Sequence, residues 1–140
     1  MIVRVTAGNG GKEAQSWAAT LALMYMTWAE QNIDVSAPET ALFHDDTCLF
    51  RGHVPAWTFK NEAGIHRFVR NSPFDPEHRR TTTFAFVTLD GAGLESDVVR
   101  SYILDPYTRA VDHRTGRETP DVAAVLAGDL TALLPEDGTP

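Results

Sequence analysis

The sequence has little cysteine and no long hydrophobic run. Its single cysteine, Cys48, excludes an internal disulfide framework and fits a reducing cytoplasm. The most apolar stretch, residues 18–28, is too short and too interrupted to span a bilayer. The first residues lack the apolar run of a signal peptide, so we expect a cytoplasmic protein with no membrane partner.

Patterns that indicate catalysis or metal binding are also missing. The five histidines include no pair at the spacing of helical metal ligands, and no Gly-x-Ser-x-Gly elbow is present. The glycine-rich turn at residues 8–13 is not a phosphate-binding P-loop. Thr6 stands where that motif needs glycine, and Glu13 stands where it needs serine or threonine. The sequence therefore predicts no enzyme, no metal and no cofactor.

Length and charge limit the classes of protein that remain. With 140 residues, of which 43% are apolar, we expect one globular domain over residues 1–140. The formal net charge of −7 argues against indiscriminate binding of nucleic acid. Residues 60–80 nevertheless contain five basic and three acidic side chains, so this segment carries +2 and the rest of the chain −9. A contact with nucleic acid is expected only on this segment.

Hydrophobic periodicity predicts an α/β (α+β) fold in which a mixed or antiparallel sheet packs on one long helix and short helices. The long helix covers residues 12–31 and carries an apolar stripe of Trp17, Leu21, Met24 and Trp28. Residues 61–69 predict a short helical turn. Strands are expected at residues 2–7, 33–35, 40–43, 48–51, 56–59 and 81–89, with a hairpin of residues 98–104 and 109–115. A last helix over residues 122–134, capped by Thr119 or Asp121, precedes a frayed tail at 135–140.

The turn Gly8–Gly11 has two interpretations. Free N–H groups at the start of the following helix suit an anion or the polar edge of a base. Alternatively, the residues form only a tight connection between strand and helix. The residues alone do not decide between the two.

The stretch RNSPFDPEHRR, residues 70–80, also has two interpretations. Pro73 biases Ser72 toward an extended backbone, so the tip is preorganised. The serine hydroxyl both donates and accepts hydrogen bonds, and Phe74 offers a ring for stacking. These features suit the recognition of a base, with arginines on both sides for phosphates. An ordinary proline loop with solvated arginines fits the composition equally well.

Several stretches together resemble the bacterial class I peptide chain release factors that decode UGA and UAA. Residues 7–30, AGNGGKEAQSWAATLALMYMTWAE, are similar to that family's Ala-Gly-x-Gly-Gly-x-Glu-Ala helix. Residues 61–75, NEAGIHRFVRNSPFD, resemble its Gly-x-His-Arg-x-Val-Arg-x-Ser-Pro-Phe-Asp segment. Residues 99–119, VRSYILDPYTRAVDHRTGRET, resemble its Arg-Ser-Tyr hairpin, and residues 123–134 its closing helix.

The resemblance implies a role for specific residues. Ser72, Pro73 and Phe74 correspond to the tripeptide that inspects the second base of the stop codon. Gly10 and Glu13 fall where the helix tip recognises the first uridine. Thr82 falls where a threonine contacts the third base, whereas Thr81 stands where the family has a histidine that stacks on the codon. The arginines that would face the RNA backbone are Arg67, Arg70, Arg79 and Arg80.

The same resemblance shows what the sequence does not contain. No Gly-Gly-Gln, the family's catalytic tripeptide, occurs in it, and residues 89–98 stand as a short linker in place of the catalytic domain. The family's N-terminal helical domain has no counterpart either. We therefore expect a protein that binds the decoding centre of the small ribosomal subunit and an mRNA stop codon without hydrolysing peptidyl-tRNA, as a mimic or competitor of termination.

Two other functions remain open. The first is a protein-interaction module that keeps the decoding fold without reading RNA, which the −9 charge outside residues 60–80 and Thr81 favour. The second is one half of a split release factor whose Gly-Gly-Gln domain is supplied by a separate protein.

Overall fold

The structure is a computed structural model that describes residues 2–32, 39–44, 47–51, 62–89 and 97–134. Within these ranges it contains one long helix, one short helix and a set of strands. In chain order the elements are β1 (Ile2–Ala7), α1 (Lys12–Asn32), β2 (Glu39–His44), β3 (Thr47–Arg51), β4 (Gly64–Asn71), β5 (Arg80–Leu89), β6 (Val98–Ile103), β7 (Arg109–Asp112), β8 (Glu118–Thr119) and α2 (Val122–Leu126).

The strands of the described ranges form one mixed sheet in the order β2-β3-β1-β5-β4-β6-β7-β8. Neighbouring strands are antiparallel except β4 and β6, which run parallel. The predicted α/β (α+β) fold, with a mixed sheet on one long helix, is confirmed.

The strand directions bring three connections to one end of the sheet. Because β4 and β6 are parallel, both finish at the same end, and β5 begins there. β1 is antiparallel to β5 and therefore also finishes there. The turn Gly8–Gly11, the loop at residues 72–79 and the turn at residues 104–108 consequently share this end, which we call the loop end.

One face of the sheet is covered by α1. The predicted stripe is confirmed, since Trp17, Leu21, Met24 and Trp28 are all buried. The Trp17 ring stacks on Phe68 of β4 with centroids 4.2 Å apart, and its indole N–H donates to the His66 carbonyl over 3.0 Å. Edge contact with Tyr102 of β6 completes the aromatic core. Helix and sheet are thus joined at the strands that lead to the loop end.

The helical turn predicted for residues 61–69 is wrong, because most of this segment belongs to β4. The burial of Gly64, His66 and Phe68 alternates with the half-exposed residues between them, which is the period of a strand. β4 is hydrogen-bonded on both sides, to β5 and to β6. Pairing with strands that follow later in the chain therefore decides its conformation.

The last predicted helix is too long. α2 ends at Leu126 rather than near residue 134, and its N-cap is Asp121, whose carboxylate accepts from the Ala124 N–H over 3.1 Å. Gly128 follows with a φ of +109°, a conformation that favours glycine. A Cβ there would also lie 2.8 Å from Thr27 of α1. The chain turns at this contact, and Leu130 and Leu133 still reach the core.

The other predicted elements divide into two groups. The strand at residues 2–7, the strands at residues 40–43, 48–51 and 81–89, and the pairing of β6 with β7 are confirmed. The second arm of this hairpin ends at Asp112 rather than at residue 115. The runs at residues 33–35 and 56–59, most of the linker at 89–98 and the tail at 135–140 lie outside the described residues. The single domain and the linker that replaces a catalytic domain stay predictions.

Candidate functional site

The Ser-Pro-Phe loop, residues 72–79, connects β4 to β5 at the loop end. Its base is closed by the Ser72 N–H, which donates to the Arg79 carbonyl over 3.1 Å. Inside the loop, the Asp75 N–H donates to the Ser72 carbonyl and the His78 N–H donates to the Asp75 carbonyl. These backbone bonds give the loop a defined shape.

The Asp75 side chain holds the second half of the loop. Its carboxylate accepts from the backbone N–H groups of Glu77 and Arg79, both over 3.1 Å. It also accepts from Nε of Arg79 over 2.7 Å. The Arg79 guanidinium and these N–H groups lower the pKa of Asp75 to about 2, so the carboxylate is charged at neutral pH. The loop is therefore preorganised by a charge that is always present near neutrality.

Ser72 points inward rather than toward solvent. It is 2% exposed, and its hydroxyl donates to Oε2 of Glu13 over 2.9 Å. The same hydroxyl accepts from the Phe74 N–H over 3.2 Å. Pro73 and Phe74 form the outward surface, with Phe74 48% exposed.

Glu13 joins the start of α1 to the base of the loop. Its carboxylate accepts two bonds from the Arg70 guanidinium, 2.7 Å from Nε and 3.0 Å from Nη2. Glu13 is buried in the first turn of α1, where the helix dipole also favours a negative charge. The Arg70 guanidinium lies 5.0 Å from the centre of the Phe68 ring. Helix, strand and loop thus meet in one cluster of Glu13, Arg70 and Ser72, here called the Glu13 cluster.

Other predicted site residues lie around this cluster. Gly10 is exposed and lies two residues before the start of α1. The Thr81 hydroxyl donates to the Arg70 carbonyl over 3.2 Å, so it supports the backbone of β4. Thr82 and Arg80 are exposed near the start of β5.

The four predicted RNA-binding arginines occupy different environments. Arg70 is bonded to Glu13, and its side chain is 23% exposed. Arg79 is bonded to Asp75 with its side chain 71% exposed. Arg80 is exposed on β5, opposite Asn71. Arg67 alternates along β4 with the buried His66 and Phe68, so it lies on the face of the sheet away from α1. The structure therefore places Arg79 and Arg80 beside the tip, whereas the roles of all four in RNA binding stay predictions.

The Glu13 cluster is the feature that the sequence did not predict. The resemblance assigned Glu13 and Ser72 to codon recognition, and the residues alone placed Glu13 at a helix start. Neither indicated that the carboxylate holds the serine hydroxyl and an arginine. The sequence offers one signal, an acidic residue at the start of the helix and an arginine, Arg70, just before the loop. This signal is informative only once β4 is known to lie beside α1.

A second polar cluster joins β4, β6 and β7 farther from the loop end. Arg100 of β6 is 1% exposed and donates to Glu62 over 2.5 and 2.8 Å and to Asp112 over 3.0 Å. His66 of β4 is fully buried beside it, with Nδ1 3.0 Å from the Tyr102 hydroxyl. Burial and the Arg100 charge lower the pKa of His66 to about 4. The imidazole is consequently neutral at neutral pH.

A serine–histidine contact is also present. Oγ of Ser101 lies 2.8 Å from Nε2 of His113. Ser101 is fully buried, so a substrate in solvent does not reach its hydroxyl. Within the described ranges, no group of three or more His, Cys, Asp or Glu side chains is placed to hold a metal ion. In the same ranges, neither helix is long and apolar enough to cross a membrane.

Fold and loop together define a class of protein: a mixed-sheet domain that presents an exposed Pro-Phe tip on a hydrogen-bonded loop, held by a buried carboxylate at a helix start. A family model described as the PCRF domain matches residues 1–87, which is more than half of the chain. The chain belongs to the PCRF domain family.

Individual relatives agree with this family. The chain is 38% identical over 117 residues to peptide chain release factor 2 of Xanthomonas euvesicatoria, an alignment that covers 71% of this chain and 31% of the relative. It is 44% identical over 92 residues to peptide chain release factor 2 of Thermomicrobium roseum, covering 61% and 25%. The resemblance to peptide chain release factors is thus confirmed, and the chain spans about a quarter to a third of the length of these curated relatives.

A solved structure supports the fold. The chain superposes on RF2 of Thermus thermophilus with a TM-score of 0.76 over 93% of this chain and 64% of that chain. The two are 22% identical in sequence, so this likeness establishes the shared fold.

Proposed function

We propose that this chain is a release-factor-like protein that binds the decoding centre of the small ribosomal subunit through its Ser-Pro-Phe loop, without hydrolysing peptidyl-tRNA. The observation that carries the proposal is the Glu13 cluster. It fixes the base of the loop, so that Pro73 and Phe74 are presented without a large ordering cost on binding.

The charges around the tip support an RNA partner. Arg79 and Arg80 are exposed beside it, and guanidinium groups suit phosphate oxygens. With a net charge of −7, the chain has little general attraction for nucleic acid, so binding depends on this small surface. The PCRF family and the release factor 2 relatives support the ribosome as the source of that RNA.

Recognition of a stop codon is the finer part of the proposal. Phe74 offers an exposed ring to a base, and Gly10 and Thr82 are accessible near the loop end. Ser72 donates a hydrogen bond to a base only if its hydroxyl releases Glu13, since its one donor is occupied. Thr81 supplies no ring for the stacking that the family histidine provides.

The absence of hydrolysis is proposed because the sequence contains no Gly-Gly-Gln. A chain that occupies the A site without releasing the peptide competes with active termination factors. The expected consequence is stalling or readthrough at stop codons.

The test is binding to purified ribosome complexes with UGA, UAA, UAG or a sense codon in the A site. Phe74→Ala removes the exposed ring, and Leu23→Ala is its control, because Leu23 is a similarly exposed apolar side chain on α1. Stop-selective binding that Phe74→Ala weakens and Leu23→Ala does not is the expected result. Peptide release from the same complexes should stay at background.

Two results would contradict the proposal. Failure of the wild type to bind ribosomes at micromolar concentration in low salt would favour the protein-interaction module. Peptide release only after addition of a separate Gly-Gly-Gln protein would favour the split factor.

A further inference from the structure

The face of the sheet opposite α1 carries aromatic side chains that the Ser-Pro-Phe loop does not use. Along β5 the inward residues Thr83 and Ala85 are buried, so Phe84 and Phe86 point to the other face. Phe84 is 36% exposed and Phe86 is half-buried. Two rings on alternate positions of a central strand form a platform that is open to a ligand.

A cleft of about 490 Å³ lies in front of these rings. Ile65 and Val98 extend its apolar wall, and Asn9 contributes an amide. None of the residues that line it carries a formal charge. Its volume lies within the range of about 300–1,000 Å³ that is typical of small-molecule sites.

Arg67 adds a cation next to the platform. It is the Cα partner of Phe84, so the two side chains stand side by side, with Cβ atoms about 5 Å apart. Nε of Arg67 is buried and has no hydrogen-bond partner among the residues that the structure describes. On its other side lies Ser101, which is bonded to His113. Burial and the Arg67 charge lower the pKa of His113, which agrees with an imidazole close to the guanidinium.

From this juxtaposition we infer that the open face binds one unpaired nucleotide of single-stranded RNA, with the base on Phe84 and Phe86 and the phosphate on Arg67. Aromatic rings stack on any base, and a guanidinium pairs with phosphate oxygens. The choice of RNA rests on the proposed function, but the site needs neither a codon nor a ribosome. It uses none of the tip residues, although Thr82, a predicted codon-contacting residue, also lines the cleft.

An apolar peptide or a second copy of the chain fits these groups less well. Either would cover the rings but would bring no anion to the Arg67 guanidinium. A ligand that combines a flat ring with an anion therefore suits the face better.

The experiment measures binding of a fluorescein-labelled hexaadenylate RNA by anisotropy, beside an abasic strand of equal charge. Phe84→Leu keeps an apolar side chain and removes the ring. It should raise Kd about 5- to 150-fold, the equivalent of one lost base stack. Arg67→Gln should weaken binding and reduce the slope of log K against log salt by about 1. Leu23→Ala on α1 is the control and should leave Kd within about twofold. Phe74→Leu tests separately whether the RNA binds at the tip. Thermal unfolding of each variant verifies its fold.

Several outcomes would overturn the inference. One is equal affinity for hexaadenylate and for the abasic strand, which would mean that charge alone accounts for the binding. Another is loss of binding with Phe74→Leu but not with Phe84→Leu, which would move the RNA to the tip and leave the proposed function intact. A folded wild type that binds no RNA, or that self-associates through Phe84 in sedimentation, would also overturn it. If Phe84→Leu binds ribosomes as the wild type does, the proposed function stands even when the inference about the open face fails.

Discussion

The hydroxyl of Ser72 donates a hydrogen bond of 2.9 Å to the carboxylate of Glu13, although the two residues are 59 positions apart in the chain. This bond connects the base of an exposed loop to the first turn of the longest helix. Because Arg70 binds the same carboxylate, one acidic side chain fixes both the strand and the loop that follows it. The orientation of the tip therefore depends on the helix start.

The charge of Glu13 should contribute measurably to stability. Glu13→Gln keeps the shape but leaves the Arg70 guanidinium without its anion, so we expect a loss of about 1–3 kcal/mol in the free energy of unfolding. Urea unfolding followed by the fluorescence of the buried Trp17 and Trp28 measures it. Glu77→Gln is the control, because that carboxylate is exposed and 3.8 Å from Arg79, and should cost less than about 1 kcal/mol. Equal costs for the two variants would contradict a structural role for the Glu13 cluster.

The Ser72 hydroxyl should order the tip itself. Ser72→Ala removes the acceptor of the Phe74 N–H, so amide exchange at Phe74 should accelerate about 2- to 10-fold, as expected for one lost hydrogen bond. Hydrogen exchange measured by NMR gives this rate. The His78 amide, which is bonded to the Asp75 carbonyl, should change less and serves as the internal reference. An unchanged Phe74 rate would show that the backbone alone orders the tip.

How far the sequence predicts this fold depends on the range of the interactions. The stripe of Trp17, Leu21, Met24 and Trp28 is local, so α1 was predicted within a residue of its end. β4 was missed because its conformation is set by β5 and β6, which follow it in the chain. The end of α2 was missed because Gly128 meets Thr27 of α1, a contact that no local pattern records.

The candidate site follows the same rule. The Ser-Pro-Phe tip was recognisable because a proline restricts its own neighbourhood and because the stretch resembles a family motif. The sequence does not predict that the Ser72 side chain points inward, because this direction depends on where α1 begins relative to β4. The platform of Phe84 and Phe86 was likewise hidden, since alternation along β5 does not reveal which face of the sheet α1 covers.

The buried cluster around Arg100 should be more sensitive than an exposed ion pair. Arg100→Met leaves Glu62 and Asp112 charged and without their cation, so we expect a loss of about 3–5 kcal/mol. Arg109→Met removes the exposed partner of Glu118 and should cost less than about 1 kcal/mol. Both are measured by urea unfolding at neutral pH. If the two variants lose the same stability, the cluster does not hold β6 and β7 in place.

His66 should make stability depend on pH in a defined window. Its pKa is about 4 in the folded protein, because of burial and the Arg100 charge, against about 6.5 when unfolded. Between these values the unfolded chain binds the additional proton, so stability falls as pH falls from about 6.5 to about 4, by at most about 3 kcal/mol. His66→Gln should remove this part of the slope, whereas His78→Gln, at an exposed position, should not. Parallel wild-type and His66→Gln curves would contradict the prediction.

Gly64 offers a test of the contact between β4 and β6. A Cβ at this position would lie 2.5 Å from Cγ1 of Val99, and the φ of +139° disfavours any other residue. Gly64→Ala should therefore cost about 1–3 kcal/mol for overpacking in addition to about 1–2 kcal/mol for the backbone. Gly116→Ala is the matched control, since Gly116 also has a positive φ but has nothing within 4 Å of its added Cβ. Urea unfolding should show the larger loss for Gly64→Ala. Val99→Ala should recover only part of it, because the backbone cost remains. Equal losses at the two glycines would mean that β4 and β6 are less closely packed than the structure indicates.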